Sequence, residues 1–329
     1  MKLSVLVTTY NQAGYIDQAL ESILAQKVNF EYELLIGDDG SNDGSLDKIK
    51  EWQSKYPDKI RYFVMERDPD IVHNHNYRSS YNRVNLVNHA KGEYYTCFDG
   101  DDFFIDPYKL QKQIDILEKD ENADCIGCGH NINLYWGDQT PLKPFNPPDS
   151  PERKFTPEEY LRGSLFICAT SCVFRNVYKG NCPGDSYAHS FEDLLITFRM
   201  LKYGKLYYLP GCLTNYRQLP NSKFNSRSLK ATNILACLSY SVEKRLNPSL
   251  ADSSLLRHFS SLRLLYKHRQ EWIDPAYDQF REQATREKSW EIMKWLTYQN
   301  DNPLKKLASL ASYQILRYKW HRAKKRFGL

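Results

Sequence analysis

Several of the usual signatures are missing from this 329-residue chain. No apolar run approaches the ~20 residues needed to cross a bilayer, and no charged-then-apolar leader precedes Met1-Lys2-Leu3. Eight cysteines are present, at 97, 125, 128, 168, 172, 182, 212 and 237, without the spacing of a disulfide framework. Cys125-Ile126-Gly127-Cys128 is a lone CxxC followed by His130. A zinc site would need a second ligand pair, and none stands at suitable spacing. Buried, reduced thiols are therefore expected, and with them a cytoplasmic compartment. No GxGxxG follows the first apolar run and no GxxxxGK[ST] occurs, so neither a dinucleotide fingerprint nor a P-loop is available to hold phosphates. A general surplus of positive charge is missing too. The formal net charge is +5, but Asp301–Leu329 holds eight Lys/Arg against one Asp, a local +7, which leaves about −2 for residues 1–300. A nucleic-acid partner is not supported.

What is present is an ordinary globular composition rich in aromatics, with 24 Tyr, long enough for one sizeable domain and an appendage. Leu3-Ser4-Val5-Leu6-Val7 reads as a buried strand and breaks at the polar loop Thr8–Gly14. Ile16, Leu20, Ile23 and Leu24 then lie on one helical face. A second strand, Tyr32–Ile36, runs into the acidic loop Asp38–Asp43, followed by a helix over Leu46–Ser54 and a third strand over Ile60–Val64. Residues 66–80 read as irregular and polar. A helix over Asn82–His89 and a turn at Lys91-Gly92 lead to a fourth strand from Tyr95, which ends in Asp99-Gly100-Asp101-Asp102.

This alternation predicts an α/β layered fold with a mostly parallel sheet flanked by helices. In such sheets ligands sit beyond the carboxyl ends of the strands. The loops Thr8–Asn11, Asp38–Asp43 and Asp99–Asp102 all leave strands at that end, and right-handed crossovers bring them to one crevice. Three carboxylates within four residues are costly unless a cation sits among them. Hard divalent cations take oxygen ligands, and Mg2+ commonly combines one or two carboxylates with substrate phosphates. The competing explanation of the cluster is an acidic turn capping the helix that begins near Pro107; convergence of the three loops favours a metal–diphosphate clamp. Tyr10 offers a flat face for a base, and a carboxylate such as Asp39 can accept an N–H from uracil, thymine or guanine.

Val5-Leu6-Val7-Thr8-Thr9-Tyr10-Asn11, Asp38-Asp39-Gly40-Ser41-Asn42-Asp43-Gly44-Ser45, Ala90-Lys91-Gly92-Glu93-Tyr94 and Asp99-Gly100-Asp101-Asp102 together resemble family-2 glycosyltransferases of the GT-A fold. The resemblance continues through Ser190-Phe191-Glu192-Asp193, Arg199, Tyr203-Gly204-Lys205 and Tyr216-Arg217, and covers roughly residues 1–220. It implies a GT-A, Rossmann-related domain over 1–220 and a helical C-terminal region over 221–329. It further implies that Thr8, Tyr10 and Asp39 line the nucleobase pocket and Asp99 lies against the ribose. Arg83 would face the donor and Asp101 would bind Mn2+ or Mg2+ across the diphosphate. Asp193 would be the general base, and Asp102 is left to brace the turn. Many relatives carry a His after the Tyr-Arg pair; Arg217-Gln218-Leu219-Pro220 lacks it, with Arg217 or Lys223 as possible substitutes. Glu192-Asp193 also suits the positive end of a helix without any catalytic role.

The implied reaction moves a sugar from a nucleoside diphosphate, a UDP-sugar before dTDP or GDP, to a glycan or lipid-linked glycan acceptor with inversion. A sugar nucleotidyltransferase would show a Gly-rich basic loop after the first strand, and Thr8–Gly14 contains no basic residue. A non-catalytic membrane-associated scaffold would have lost the acids. On the acceptor side Ser171, Asn181, Tyr187 and His189 are candidates. Leu165–Phe174 reads as buried strand and the proline-rich stretch 138–157 as loop. His73 and His75 are expected to be solvated. The basic stripe of 303–329, with Trp320 and Phe327 interleaved, suits peripheral contact with an anionic membrane face.

Overall fold

The computed structural model describes residues 1–67, 75–138, 141–162, 165–182, 193–219 and 248–250. The chain divides into two compact units, Met1–Asn225 and Ser226–Leu329. In the second unit the described part is one 3-10 turn, Pro248–Leu250, so the expected helical character of 221–329 and the membrane-facing stripe at 303–329 lie outside the described residues.

The first unit is built on a mixed sheet with the order β3 (Ile60–Val64), β2 (Tyr32–Asp38), β1 (Leu3–Thr9), β4 (Tyr94–Asp99), β9 (Val173–Arg175), β6 (Cys125–Tyr135), β10 (Lys205–Arg217) and β5 (Phe103–Phe104). Strand β1 (Leu3–Thr9) lies between β2 (Tyr32–Asp38) and β4 (Tyr94–Asp99), parallel to both, with Val5 opposite Leu34 and Thr96. All seven residues of β1 are buried, which is why an uninterrupted aliphatic run, rather than an alternating one, encodes it. Helix α1 (Ile16–Leu24) turns Ile16, Ala19, Leu20 and Ile23 into the core. Helix α2 (Ser45–Lys55) and edge strand β3 (Ile60–Val64) complete the first half with α3 (His75–His89). From β1 the chain moves to β2 on one side and later returns to β4 on the other. The strand order therefore reverses between β1 and β4, the place where open α/β sheets hold ligands.

The second half departs from purely parallel pairing. The two-residue strand β5 (Phe103–Phe104), helix α4 (Lys109–Glu118) and the long strand β6 (Cys125–Tyr135) follow the acid cluster. Strands β7 (Lys143–Pro144) and β8 (Arg153–Phe155) sit within the stretch expected to be loop, antiparallel to β6 and β10. After the short helix α5 (Pro157–Arg162), the expected strand over Leu165–Phe174 is interrupted by a 3-10 turn at Ala169–Ser171. Only β9 (Val173–Arg175) pairs, antiparallel to β4 and β6. The segment is buried as expected, but the turn sends Thr96 Oγ1 to the Cys172 carbonyl at 2.6 Å. Helix α6 (Asp193–Met200) and strand β10 (Lys205–Arg217), parallel to β6, close the unit.

Helix α3 begins at His75, seven residues before the expected start. Its early turns lack an apolar stripe because the face toward the sheet is held by polar contacts. Asn82 Nδ2 donates to the Gly37 carbonyl at 2.8 Å, and a Cβ on Gly37 would stand 1.9 Å from Asn82 Oδ1. The helix is thus bolted to β2 where only glycine fits. Asn82→Ala should lower stability by about 1–2 kcal/mol, since a buried carbonyl loses its donor; a urea midpoint unchanged from that of the parent would count against the bolt.

Candidate active site

The polar loops anticipated from the sequence meet beyond the carboxyl ends of β1, β2 and β4. Thr9 pairs with Asp38 and Thr8 with Asp99 in the parallel registers, so the loops start side by side. Local hydrogen bonds then sort the carboxylates. Asp38 accepts from the Ser41 N–H and hydroxyl, at 2.8 and 2.5 Å. Asp43 accepts from Ser45 and from the Ala13 N–H. Asn11, at φ 51°, accepts from the Asn42 N–H while its own N–H reaches Ser41. These contacts stitch the β1 and β2 loops together, and the functional groups project from the framework they make.

Asp39 faces two guanidinium groups. Arg78 Nε donates to Oδ1 and Arg67 Nη2 to Oδ2, both at 2.5 Å, while Arg67 Nε binds the Asp39 carbonyl at 2.6 Å. The Arg67 guanidinium also lies 3.9 Å from the centre of the Tyr10 ring. Asp39 and Arg78 are buried, whereas Tyr10 is exposed. A carboxylate oxygen has two acceptor directions, so each oxygen of Asp39 keeps one for a further donor. The result is a shelf (Tyr10), an acceptor (Asp39) and two donors (Arg67 and Arg78) in one corner.

The next corner belongs to β4. Asp99 Oδ1 accepts from Thr8 Oγ1 and from Arg83 Nη2, both at 2.8 Å. Arg83 and Thr8 are buried and Asp99 is half-buried. Beyond it, Asp101 carries a carboxyl whose pKa is pushed up to about 7, first by burial and then by the neighbouring Asp99 charge. Asp102 is buried and accepts the Arg217 N–H at 2.9 Å, and its own N–H closes the turn onto the Asp99 carbonyl. It braces the turn, as expected from the sequence.

Thr8, Tyr10, Asp39, Arg83, Asp99 and Asp101 are thus brought together. Asp193 opens α6, but its side chain, like Glu192 and residues 183–190 with Tyr187 and His189, lies outside the described residues. The same holds for His73, Lys223 and the His75 side chain. Ser171 is withdrawn as an acceptor-side candidate: it is fully buried and its hydroxyl donates to the Cys168 carbonyl at 2.7 Å. Asn181 is exposed. Sequence reasoning missed Arg67 and Arg78, which sit in a stretch read as irregular; the signal available was Arg78 one turn before Asn82 on a helix that starts earlier.

Arg217 stands where a substitute for the family's His was sought. Its Nε donates to the Asp101 carbonyl at 2.8 Å and its Nη2 to Gln18 Oε1 at 2.6 Å, among the rings of Tyr15, Phe103 and Tyr135. Among the described residues no group of three or more His, Cys, Asp or Glu is arranged to hold a metal alone. The seven described cysteines are free, and burial raises the pKa of the CxxC thiols. No helix among the described residues is long and apolar enough to cross a membrane.

Residues 4–179, more than half of the chain, match the profile of glycosyl transferase family 2. The chain belongs to that family. The match takes in the base corner and the acid turn but ends before Asp193 and Arg217. Among similar proteins, the uncharacterized protein Rv1520 of Mycobacterium tuberculosis is 29% identical over 222 residues, 66% of this chain and 58% of that protein. The present chain therefore spans less than two thirds of that relative. The putative glycosyltransferase EpsE of Bacillus subtilis is 27% identical over 253 residues, 76% of this chain and 85% of EpsE. Among solved structures, Staphylococcus aureus TarS 1–349 in complex with UDP-GlcNAc superposes with a TM-score of 0.59 at 20% identity, covering 100% of this chain and 92% of that one. The likeness is one of fold, and the α/β GT-A architecture implied by the sequence is the one observed.

Proposed function

We propose that this family-2 chain is an inverting glycosyltransferase that moves a sugar from a nucleoside-diphosphate donor, a UDP-sugar in preference, to a hydroxyl of a glycan or lipid-linked glycan. The observation that carries the reading is the pair of adjacent corners at the β1/β4 switch point: Tyr10, Asp39, Arg67 and Arg78 for a base, then Thr8, Arg83, Asp99 and Asp101 for ribose and diphosphate. Uracil offers an N–H flanked by two carbonyls. Asp39 accepts the N–H, the guanidinium groups donate to the oxygens, and Tyr10 supports the ring. Cytosine and adenine present acceptors where uracil has its N–H, so Asp39 rejects them. The bound UDP-GlcNAc named for TarS is in keeping with this preference.

The residues present suit Mn2+ or Mg2+. The donor set is carboxylate oxygen, too sparse to hold an ion without further oxygens, and a diphosphate supplies those. Asp101 would be the direct ligand. A divalent cation bound there would neutralise charge growing on the leaving diphosphate. The chain's own contribution is to fix the nucleotide at Asp39 and Asp99, to keep the Asp101 oxygens turned to the crevice, and, through Asp193, to take the acceptor's proton as the new bond forms opposite the leaving group.

Thermal-shift measurements test the reading. UDP with Mn2+ should raise the Tm more than either alone, and ADP or CDP should raise it little; absence of any response to a nucleoside diphosphate would overturn the proposal. The Asp101 carboxyl must lose its proton before it can bind a cation. With its pKa raised to about 7, Mn2+ affinity should climb as pH rises through neutrality and level off above it. Asp101→Asn should abolish the Mn2+-dependent part of the shift and its pH dependence together.

A further inference from the structure

The acid turn between β4 and β5 is held by residues that belong to neither corner of the donor site. Arg217, at the end of β10, grips its backbone. The Arg217 Nε donates to the Asp101 carbonyl at 2.8 Å, and the Arg217 N–H donates to Asp102 Oδ1 at 2.9 Å. The guanidinium thus holds the peptide oxygen of Asp101 and not its carboxylate, so it does not compete with a cation for that carboxylate. Three rings set its place: the centres of Tyr15, Phe103 and Tyr135 lie 4.8, 5.3 and 5.0 Å from its central carbon. The other arm, Nη2, donates to Gln18 Oε1 at 2.6 Å. Gln18 is exposed on α1, and one turn further along that helix Ser22 Oγ accepts the Phe104 N–H at 3.0 Å. Residues four apart share a helix face. One face of α1 therefore meets the acid turn through Arg217 and the strand that follows it through Ser22.

We propose that Arg217 and Gln18 are positioning residues for Asp101: Gln18 fixes the guanidinium of Arg217, and Arg217 fixes the Asp101 peptide, so that the carboxylate is set in advance for the divalent cation that accompanies the donor. Asp99 and Asp101 are like charges two residues apart, and their repulsion drives the turn to swing the carboxylates away from each other before a cation arrives. A peptide whose oxygen is bonded to a planar guanidinium, itself held by a ring cage and a second hydrogen bond, resists that rotation. Lysine cannot reproduce the hold, because an ammonium lacks the rigid fork that reaches two acceptors in fixed directions. Groups that orient a metal ligand from behind typically contribute about 10–100-fold in metal affinity. The proposal rests on the metal-dependent donor binding argued above, and the unaltered protein tests that reading separately.

The experiment is Mn2+ binding followed by electron paramagnetic resonance in the presence of saturating UDP, alongside UDP binding by calorimetry without metal. Arg217→Lys should weaken Mn2+ binding about 10-fold or more. Gln18→Leu, an exposed change, should weaken it by a smaller factor of at least about twofold, and that loss should vanish in an Arg217→Lys background, the coupling of a double-mutant cycle. Metal-free UDP binding should match the parent in both single variants. Parental Mn2+ affinity in Arg217→Lys, or additive losses in the cycle, would overturn the proposal. So would weaker metal-free UDP binding in Arg217→Lys with Gln18→Leu silent, the result expected if Arg217 touched the diphosphate directly. A loosened fold would weaken metal-free UDP binding in both variants, and that outcome also counts against a positioning role. If the unaltered protein bound UDP with no response to Mn2+, the metal reading of Asp101 would fall, and this proposal with it.

Discussion

Asp193→Asn is expected to retain nucleotide and metal binding while losing transfer by about 10²–10⁴-fold, the usual contribution of a positioned general base. Asparagine keeps the size and polarity of the side chain but cannot take a proton at neutral pH. Asp193 opens helix α6, whose last residue, Met200, packs against β4: the Tyr95 hydroxyl meets its sulfur at 3.2 Å. The helix is thus anchored on the strand that bears Asp99. An acid at a helix start is also favoured electrostatically without any part in chemistry, and the variant separates the two roles. A helix-end role lost to asparagine would cost at most about 1 kcal/mol of stability and leave turnover near normal, since asparagine is itself favoured at helix starts. A general-base role lost to asparagine leaves UDP and Mn2+ shifts intact and removes transfer. Turnover within a fewfold of the parent would end the assignment of Asp193.

Lys109→Met should stabilise the protein by a few kcal/mol at pH 6, an uncommon sign for a change in a core. Lys109 heads α4, is fully buried, and its Nζ has no hydrogen-bond partner among the described residues. Its main attraction is the face of the Phe104 ring, 4.2 Å away. Burial lowers its pKa from 10.5 to about 7. Between those values the unfolded chain binds more protons than the folded one, so stability rises with pH from about 7 toward 10.5. Below pH 7 the lysine is charged in both states, the slope vanishes and the full penalty remains, on the order of 5 kcal/mol. Methionine fills a similar volume without that penalty and forgoes a cation–π contact of about 1–2 kcal/mol. Unfolding midpoints at pH 6 and pH 10 check the prediction: the variant should lead clearly at pH 6 and lose most of its lead at pH 10. A variant less stable than the parent at pH 6 would show that Lys109 contributes more than its burial costs.

His130 sits in the same buried layer, and burial holds its pKa well below the usual histidine value. Its shift, like those of the buried thiols, is common to parent and variant, so the pH dependence of the difference between them belongs to Lys109. That layer was illegible in the sequence: Lys109 reads as an ordinary residue at a helix start, and only packing reveals that α4 carries it into the interior.

The elements that were legible share one property. β1, α1 and β2 bury apolar side chains in local runs or on one face, and such patterns survive in any single sequence. The first turns of α3 and the interruption before β9 were not legible, because polar contacts hold the one and a buried 3-10 turn divides the other. Arg67 and Arg78 went unseen for the same reason. Their meaning lies in Asp39, 28 and 39 residues earlier in the chain.

The acid turn shows where the boundary falls. Sequence alone settled that acidic loops leave parallel strands at one end, because strand patterning and right-handed crossovers leave little choice. Residue chemistry alone could not tell the acids apart, since Asp38, Asp39, Asp43, Asp99, Asp101 and Asp102 are chemically alike; the roles given to Asp39, Asp99, Asp101 and Asp102 came from the family resemblance. Tertiary structure distinguishes them by their partners. Asp38, Asp43 and Asp102 are engaged by nearby N–H and hydroxyl groups that hold the loops. Asp39 and Asp99 meet arginines from beyond their own loops, and Asp101 is half-buried beside a second carboxylate. A carboxylate's role follows from what its two oxygens face, and that is decided only when distant segments are brought together.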